Sequence, residues 1–375
     1  MKKSSGSLTI VMTILALIVL NPLVVIDAAK LPNDPYLSKQ WGWFDIHADK
    51  AYASGYQGKG VVIAVLDTGV DSKHPDLRAN IVEGWNFVDN NNDTTDLDGH
   101  GTHVAGIIAA TSNNKVGIAG IAPEARIMPL KVLSKSGGAW INLDKAIVYA
   151  VNHGAKIISM SLGGQVTTVL SPTVLAAILI AYQKNVTLVA AAGNENTSAK
   201  SYPAAYPNVV AVSAISQNHT RASFSNYGNY IMFTAPGVKI LSTMPTYPVT
   251  LTTQYGISEN YDYLSGTSMA CPFVSGVIAL LLSKYPSLTP KMVRDTLVAQ
   301  AMDIGEKNWD PYFGYGIPDA YNAIAETPIP EFTNMSLLLF SSVILFMVIT
   351  DRKSRKPTSR PEASYSSKPK RYHVC

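Results

Sequence analysis

Between residues 60 and 300 the chain alternates two hydrophobic rhythms. Five runs rich in Val, Ile and Ala, at 61–67, 126–133, 156–160, 186–192 and 209–215, carry hardly a polar residue. A run of that length with no polar alternation suits a strand buried on both faces, not one with a wet side. Between and after them, apolar residues recur at helical spacing in 100–110, 142–152, 172–184, 268–284 and 290–299. Strands that alternate with helices predict an α/β fold of three layers, a mostly parallel twisted sheet with helices on both faces. No internal repeat is visible.

The two ends break this rhythm. Residues 1–29 open with Lys2 and Lys3, continue through an apolar run at 8–25 and reach Ala28 and Ala29. That order reads as a signal peptide, with an uncleaved anchor as the alternative. Residues 30–326 then read as one domain. A linker at 327–332 contains Pro330-Glu331-Phe332, and an apolar helix is expected at 333–350. Its apolar segment, 335–349, would be roughly 23 Å long as a helix. That is short of the ~30 Å hydrocarbon layer unless flanking residues extend it. The basic cluster after it suits the cytoplasmic side of a membrane. A spanning helix and a packed terminal helix both remain open, and 351–375 reads as a basic disordered tail.

Composition narrows the classes. Of 375 residues 47% are hydrophobic and 15% charged, ample for a sizeable core. The net charge of +4 resides at the ends, because residues 30–330 hold 20 basic against 22 acidic side chains. A nucleic-acid-binding face therefore has no support. The two cysteines, Cys271 and Cys375, make no disulfide framework.

Four short stretches carry chemistry. Asp67 ends the first apolar strand in Asp67-Thr68-Gly69, where parallel sheets place their sites. Aspartic peptidases use the same triplet, but they need two such aspartates and this chain has one. His100 and His103 stand three apart in Gly99-His100-Gly101-Thr102-His103. Zinc is the rival reading, though the spacing does not match His-Glu-x-x-His. Ser268, in Gly266-Thr267-Ser268-Met269-Ala270, opens a long apolar helix. It reads as an ordinary N-cap or as a nucleophile whose helix end favours developing negative charge. Pro272 is expected in that helix's first turn. Asn194 ends a strand of small residues and says little alone.

Together, in the order Asp67, His100, Asn194, Ser268, these stretches resemble the subtilisin-like serine peptidases. The resemblance spans about 34–325, and the opening Asn33-Asp34-Pro35-Tyr36 is similar to that of the thermitase-like branch. It implies a serine endopeptidase of broad specificity with an Asp67–His100–Ser268 triad and Asn194 in the oxyanion hole. It implies that Ser161, Leu162 and Gly163 form an edge to which substrate adds as a strand, with Gly138 in an opposing edge at 137–140 and Glu195 at the rim of the primary pocket. It implies structural calcium held by Asp34, Asp76 and Asn114 with carbonyls of Thr111, Val116 and Ile118. The polar run 89–96 is a further candidate for oxygen ligation, or a solvated loop. Cys271, where the family has Thr, should be a buried filler. The tail is similar to the Pro-Glu-Phe sorting tails of archaeal surface proteins, which a membrane transpeptidase processes. The expectation is a monomer acting on proteins or peptides outside the cell, held by 333–350 or released after tail processing.

Overall fold

The computed structural model describes residues 31–134, 137–138, 142–165 and 171–325. The expected signal segment 1–29, the linker, apolar helix and tail at 327–375, and Trp140 of the 137–140 edge lie outside them.

The five apolar runs become the heart of a seven-stranded sheet. In chain order its strands are β1 (Val62–Asp67), β2 (Trp85–Asn86), β3 (Arg126–Lys131), β6 (Ile157–Met160), β8 (Thr187–Ala191), β10 (Val209–Ile215) and β11 (Phe233–Pro236). Short pairs lie outside it: β4 (Leu133–Ser134) with β5 (Gly137–Gly138), β7 (Gly164–Gln165) with β9 (Ser201–Tyr202), and β12 (Ile240–Thr243) with β13 (Tyr261–Leu264). The sheet order is β11-β10-β8-β6-β1-β3-β2, with every neighbouring pair parallel.

The helices are α1 (Trp41–Asp45), α2 (Ala48–Ala53), α3 (His100–Ala109), α4 (Leu143–Asn152), α5 (Pro172–Gln183), α6 (Thr250–Tyr255), α7 (Thr267–Lys284), α8 (Pro290–Gln300) and α9 (Ala320–Ala325). Strand periodicity divides the core between the two faces. Ile63 and Val65 of β1 point into a cluster with α3 and α7, whereas Ala64 and Leu66 point into one with α4 and α5. Such fully buried Ile and Leu side chains contribute roughly 1.5–3 kcal/mol each. The three-layer expectation holds.

Helix α7 is apolar all round because it runs through the core, with 15 of its 18 residues buried. Length and composition alone would let it cross a membrane, yet 83% of it is buried within the domain. It packs on β6, β8, β10 and β11 and against α3. The chain moves from β1 to β2 at one edge of the sheet, comes back through β3 beside β1, and then crosses to the other side of β1 through β6. Strand order thus reverses beside β1, where parallel sheets open a crevice at the strands' carboxyl ends.

Candidate active site

Asp67 is the last residue of β1 and lies at that crevice, fully buried. Its Oδ1 accepts the Thr68 N–H at 2.8 Å and lies 2.7 Å from His100 Nδ1. His100 is the first residue of α3, with its side chain 23% exposed. The approach depends on Gly101. A Cβ there would lie 2.1 Å from the Gly69 carbonyl oxygen and 3.1 Å from Asp67 Cβ, so no other residue lets the helix end come this close. Burial disfavours charge on His100, but the facing Asp67 carboxylate and its hydrogen bond, with Asp98 and Asp96 nearby, outweigh it and raise the imidazole pKa. His103 does not share the site. Its Nε2 serves the carbonyls of Ile240 and Asp262 at 3.0 and 3.2 Å, and burial pushes its pKa down to about 3. It is a neutral clip between α3 and the β12–β13 pair.

Ser268 is the second residue of α7, after Gly266 at the cap. Pro272, expected in the first turn, lies in the second, at the sixth position of the helix. It therefore has no N–H for the carbonyl four residues back, which belongs to Ser268. The Ser161 hydroxyl takes that vacancy and donates to the Ser268 carbonyl at 2.7 Å. In return the Ser268 hydroxyl donates to the Ser161 carbonyl at 3.2 Å. Among the described residues no hydrogen bond joins Ser268 to His100. Cys271 is fully buried, 3.7 Å from the Ser159 hydroxyl, and burial pushes its thiol up to about 11. It stays protonated and fills space, as expected.

Asn194 is exposed just beyond β8. Its Oδ1 accepts from the N–H and hydroxyl of Thr267 at 2.8 and 3.0 Å, which turns the amide nitrogen outward. A methyl on Gly266 would lie 3.6 Å from both Asn194 Nδ2 and Ser268 N. The Asn194 amide nitrogen and Ser268 N thus lie equally far from one point beside Gly266, at the start of α7. Thr267 was not singled out from the sequence, although it sits inside the Gly-Thr-Ser motif. Glu195 Oε2 accepts from Asn226 Nδ2 at 2.6 Å, so its carboxylate is held in place. Ser161, Leu162 and Gly163 lead from β6 into β7, which pairs antiparallel with β9. Gly138 ends the β4–β5 pair. A cleft of about 250 Å³ near His100 is lined by Thr68, Leu97, Asp98, Lys131 and Leu133 among others.

Asp34 and Asp76 are both buried and both accept hydrogen bonds from Asn114. Asp34 accepts the N–H groups of Asn113 and Asn114 at 2.8 and 3.1 Å. Asp76 accepts from Asn114 Nδ2 at 2.7 Å, Ile118 N at 2.9 Å and the Tyr261 hydroxyl at 3.1 Å. Burial raises both carboxyls, Asp76 to about 6 with Asp34 adding repulsion. Among the described residues neither acid has a cationic partner. The carbonyls of Thr111, Val116 and Ile118 accept no hydrogen bond there either. The two buried acids and the three spare carbonyls are oxygen donors of the kind a hard divalent cation takes, whereas Asn114 turns its Nδ2 to Asp76 and its Oδ1 accepts the Val116 N–H at 2.7 Å. Tyr261 escaped notice because β13 has no apolar signature. Asp96 of the polar run turns inward instead, both oxygens occupied by N–H and O–H donors.

The subtilase family model matches residues 58–316. Thermitase from Thermoactinomyces vulgaris is 46% identical over 295 residues, 78% of this chain and 99% of that protein. The thermophilic serine proteinase of Bacillus sp. (strain AK1) is 41% identical over 313 residues, 81% of this chain and 73% of that protein. Among solved structures, a protease from Pseudoalteromonas arctica matches with a TM-score of 0.71 and 32% identity, over 79% of this chain and 99% of that one.

Proposed function

The chain belongs to the subtilase family and is a serine-type endopeptidase, and from that premise we propose that Asp67, His100 and Ser268 carry out its chemistry, with Asn194 and the Ser268 N–H as the oxyanion donors. The observation that carries this reading is the 2.7 Å contact from Asp67 Oδ1 to His100 Nδ1, at the start of a helix that packs against the one bearing Ser268. With Nδ1 held by the carboxylate, His100 presents Nε2 as the basic atom.

The Ser268 hydroxyl turns from the Ser161 carbonyl to Nε2 and attacks the scissile carbonyl carbon as Nε2 takes its proton. The carbonyl oxygen becomes an oxyanion at the spot on which Asn194 Nδ2 and Ser268 N converge. These donors are fixed beforehand, Asn194 by Thr267, so little reorganisation is needed as charge develops. The imidazolium, steadied by Asp67, passes its proton to the leaving amine nitrogen, which departs and leaves an ester on Ser268. Water then attacks that ester, Nε2 takes the water's proton and returns it to Ser268 Oγ, and the acid product leaves.

Substrate lies as an added strand between the edge at Ser161, Leu162 and Gly163 and the edge at Gly138, which leaves sequence selection to few side chains and favours broad specificity. Glu195, held by Asn226, lines the primary pocket. Asp34, Asp76, Asn114 and the carbonyls of Thr111, Val116 and Ile118 hold structural calcium, whose charge offsets the two buried carboxylates. The enzyme works outside the cell as a monomer, tethered through 333–350 or released after tail processing.

A fluorophosphonate probe tests the chemistry. It should label the native protein stoichiometrically on Ser268 and leave Ser268→Ala unlabelled. A folded protein that resists labelling, or one labelled elsewhere, overturns the reading.

A further inference from the structure

A buried carboxylate beside the proposed triad takes no part in the steps above. Asp96, in the loop before α3, is fully buried. Its Oδ1 accepts the Thr68 hydroxyl at 2.9 Å and the N–H groups of Asp98 and Gly99 at 3.0 and 2.8 Å. Its Oδ2 accepts the N–H and hydroxyl of Thr102 at 2.9 and 2.7 Å. Five donors and no acceptor to answer them suit an ionised carboxylate.

The identity of those partners matters more than their number. Thr68 follows Asp67 directly, and its hydroxyl oxygen also accepts the Gly101 N–H at 2.9 Å. Asp98, Gly99, Gly101 and Thr102 surround His100 in the chain. One rigid group therefore bridges the end of β1, which carries Asp67, to the first turn of α3, which carries His100. Any slip between those elements must break charge-assisted hydrogen bonds in a dry site, where they are strong.

The charges around this bridge are few. His100 faces Asp67, its direct partner, with Asp98, Asp96 and the neutral His103 beyond. Asp98 is half-buried and reached by solvent ions, whereas Asp96 is screened far less. Near Asp96 itself stand Asp98, the neutral Tyr247 from the β12–β13 connection, and Lys131, whose ammonium donates to the Thr95 carbonyl at 2.7 Å. Among the described residues Asp96 joins no ion pair.

We propose that Asp96 is a positioning residue: its ionised carboxylate clamps Asp67 and His100 in register, and its fixed negative charge favours the imidazolium that His100 becomes on taking the Ser268 proton. This rests on His100 being the general base. A simple loop cap would share the hydrogen bonds but would not touch the titration of His100.

The test is the pH profile of kcat and kcat/KM on a soluble peptide p-nitroanilide for the full chain, Asp96→Asn, Thr68→Val and His100→Ala. In Asp96→Asn, kcat should fall about 10- to 100-fold with KM within about threefold, and the acid limb should move to lower pH by roughly half a unit or more, because a nearby negative charge has gone. Thr68→Val keeps the charge and cuts the bridge, so its kcat should fall about tenfold with the limb in place. An Asp96→Asn limb that stays at the parent's pH, or an unchanged kcat, overturns the proposal. If Asp96→Asn does not fold by thermal unfolding, Thr68→Val and Thr102→Val carry the test, and parental kcat in both overturns the clamp. His100→Ala separates the two ideas: retained activity there sinks the general base itself, whatever Asp96 does.

Discussion

At the scale of single residues, the proposed site depends on where two N–H groups point. Asn194 is aimed by Thr267, and Ser268 N by its place in the first turn of α7. Asn194→Ala should therefore lower kcat with little change in KM; in subtilisin itself the loss of one such donor costs about 10²–10³ in kcat. Gly266→Ala gives an independent reading of the same spot. The backbone of Gly266 is extended at φ 161°, which any residue adopts, while the added methyl would lie 3.6 Å from both nitrogens. The protein should fold with an unchanged melting temperature and lose activity to a similar degree. Parental steady-state kinetics in both variants would remove the oxyanion role from this corner. The motifs marked Asp67, His100, Asn194 and Ser268 in the sequence because their neighbours are unusual. They did not mark Thr267 as the residue that orients Asn194, since that bond joins positions 73 apart in the chain.

At the scale of elements, α7 shows how one sequence choice calls for another. Pro272 removes the N–H that would bind the Ser268 carbonyl, and Ser161 from the end of β6 supplies a hydroxyl instead. Ser161→Ala should destabilise the protein by about 1–3 kcal/mol, the usual range for orphaning a buried polar group. In a Pro272→Ala background the backbone N–H returns, so the same substitution should cost distinctly less. Thermal unfolding of phosphonylated enzyme, which cannot digest itself, measures both. Equal costs in the two backgrounds would mean that the hydroxyl does not serve that carbonyl. The long elements were legible because burial on both faces leaves continuous apolar runs, and the predicted strand at 209–215 matches β10 residue for residue. The short ones were not. β2 is two residues, and β13 is Tyr-Asp-Tyr-Leu with no buried residue, so neither leaves a hydrophobic rhythm to read.

At the scale of the whole molecule, Asp34 and Asp76 join the amino-terminal segment to the loop after α3 and to β13. Asp34 binds Asn113 and Asn114, and Asp76 binds Asn114, Ile118 and Tyr261. A cation held there couples three distant stretches of chain, so its removal should be felt globally. Saturating calcium at a hundredfold excess over Kd stabilises by about 2.7 kcal/mol. For a domain of this size that corresponds to roughly 5–10 °C in Tm. Calorimetry of the inhibited enzyme with calcium and with chelator should show that difference, and Asp76→Asn should abolish it. A Tm indifferent to chelator would leave the two acids without their cation.

The sequence by itself determined the layered α/β fold, the buried strands and the residue types of the proposed site, because each leaves a local mark: a continuous apolar run, a glycine-flanked histidine, a serine at the head of an apolar helix. Tertiary structure alone decided which residues hold those groups in place. The Ser161 hydroxyl on Ser268, Thr267 on Asn194 and Asp96 between Thr68 and Thr102 are partnerships formed where α3 and α7 pack against one sheet, and Tyr261 meets Asp76 where β13 reaches the loop after β1. Their energy depends on distance and angle between elements far apart in the chain, and no local pattern records it. The Asp67–His100–Ser268 trio named from the motifs remains the proposed catalytic set; the structure adds the 2.7 Å contact between Asp67 and His100 and the hydrogen bonds around it.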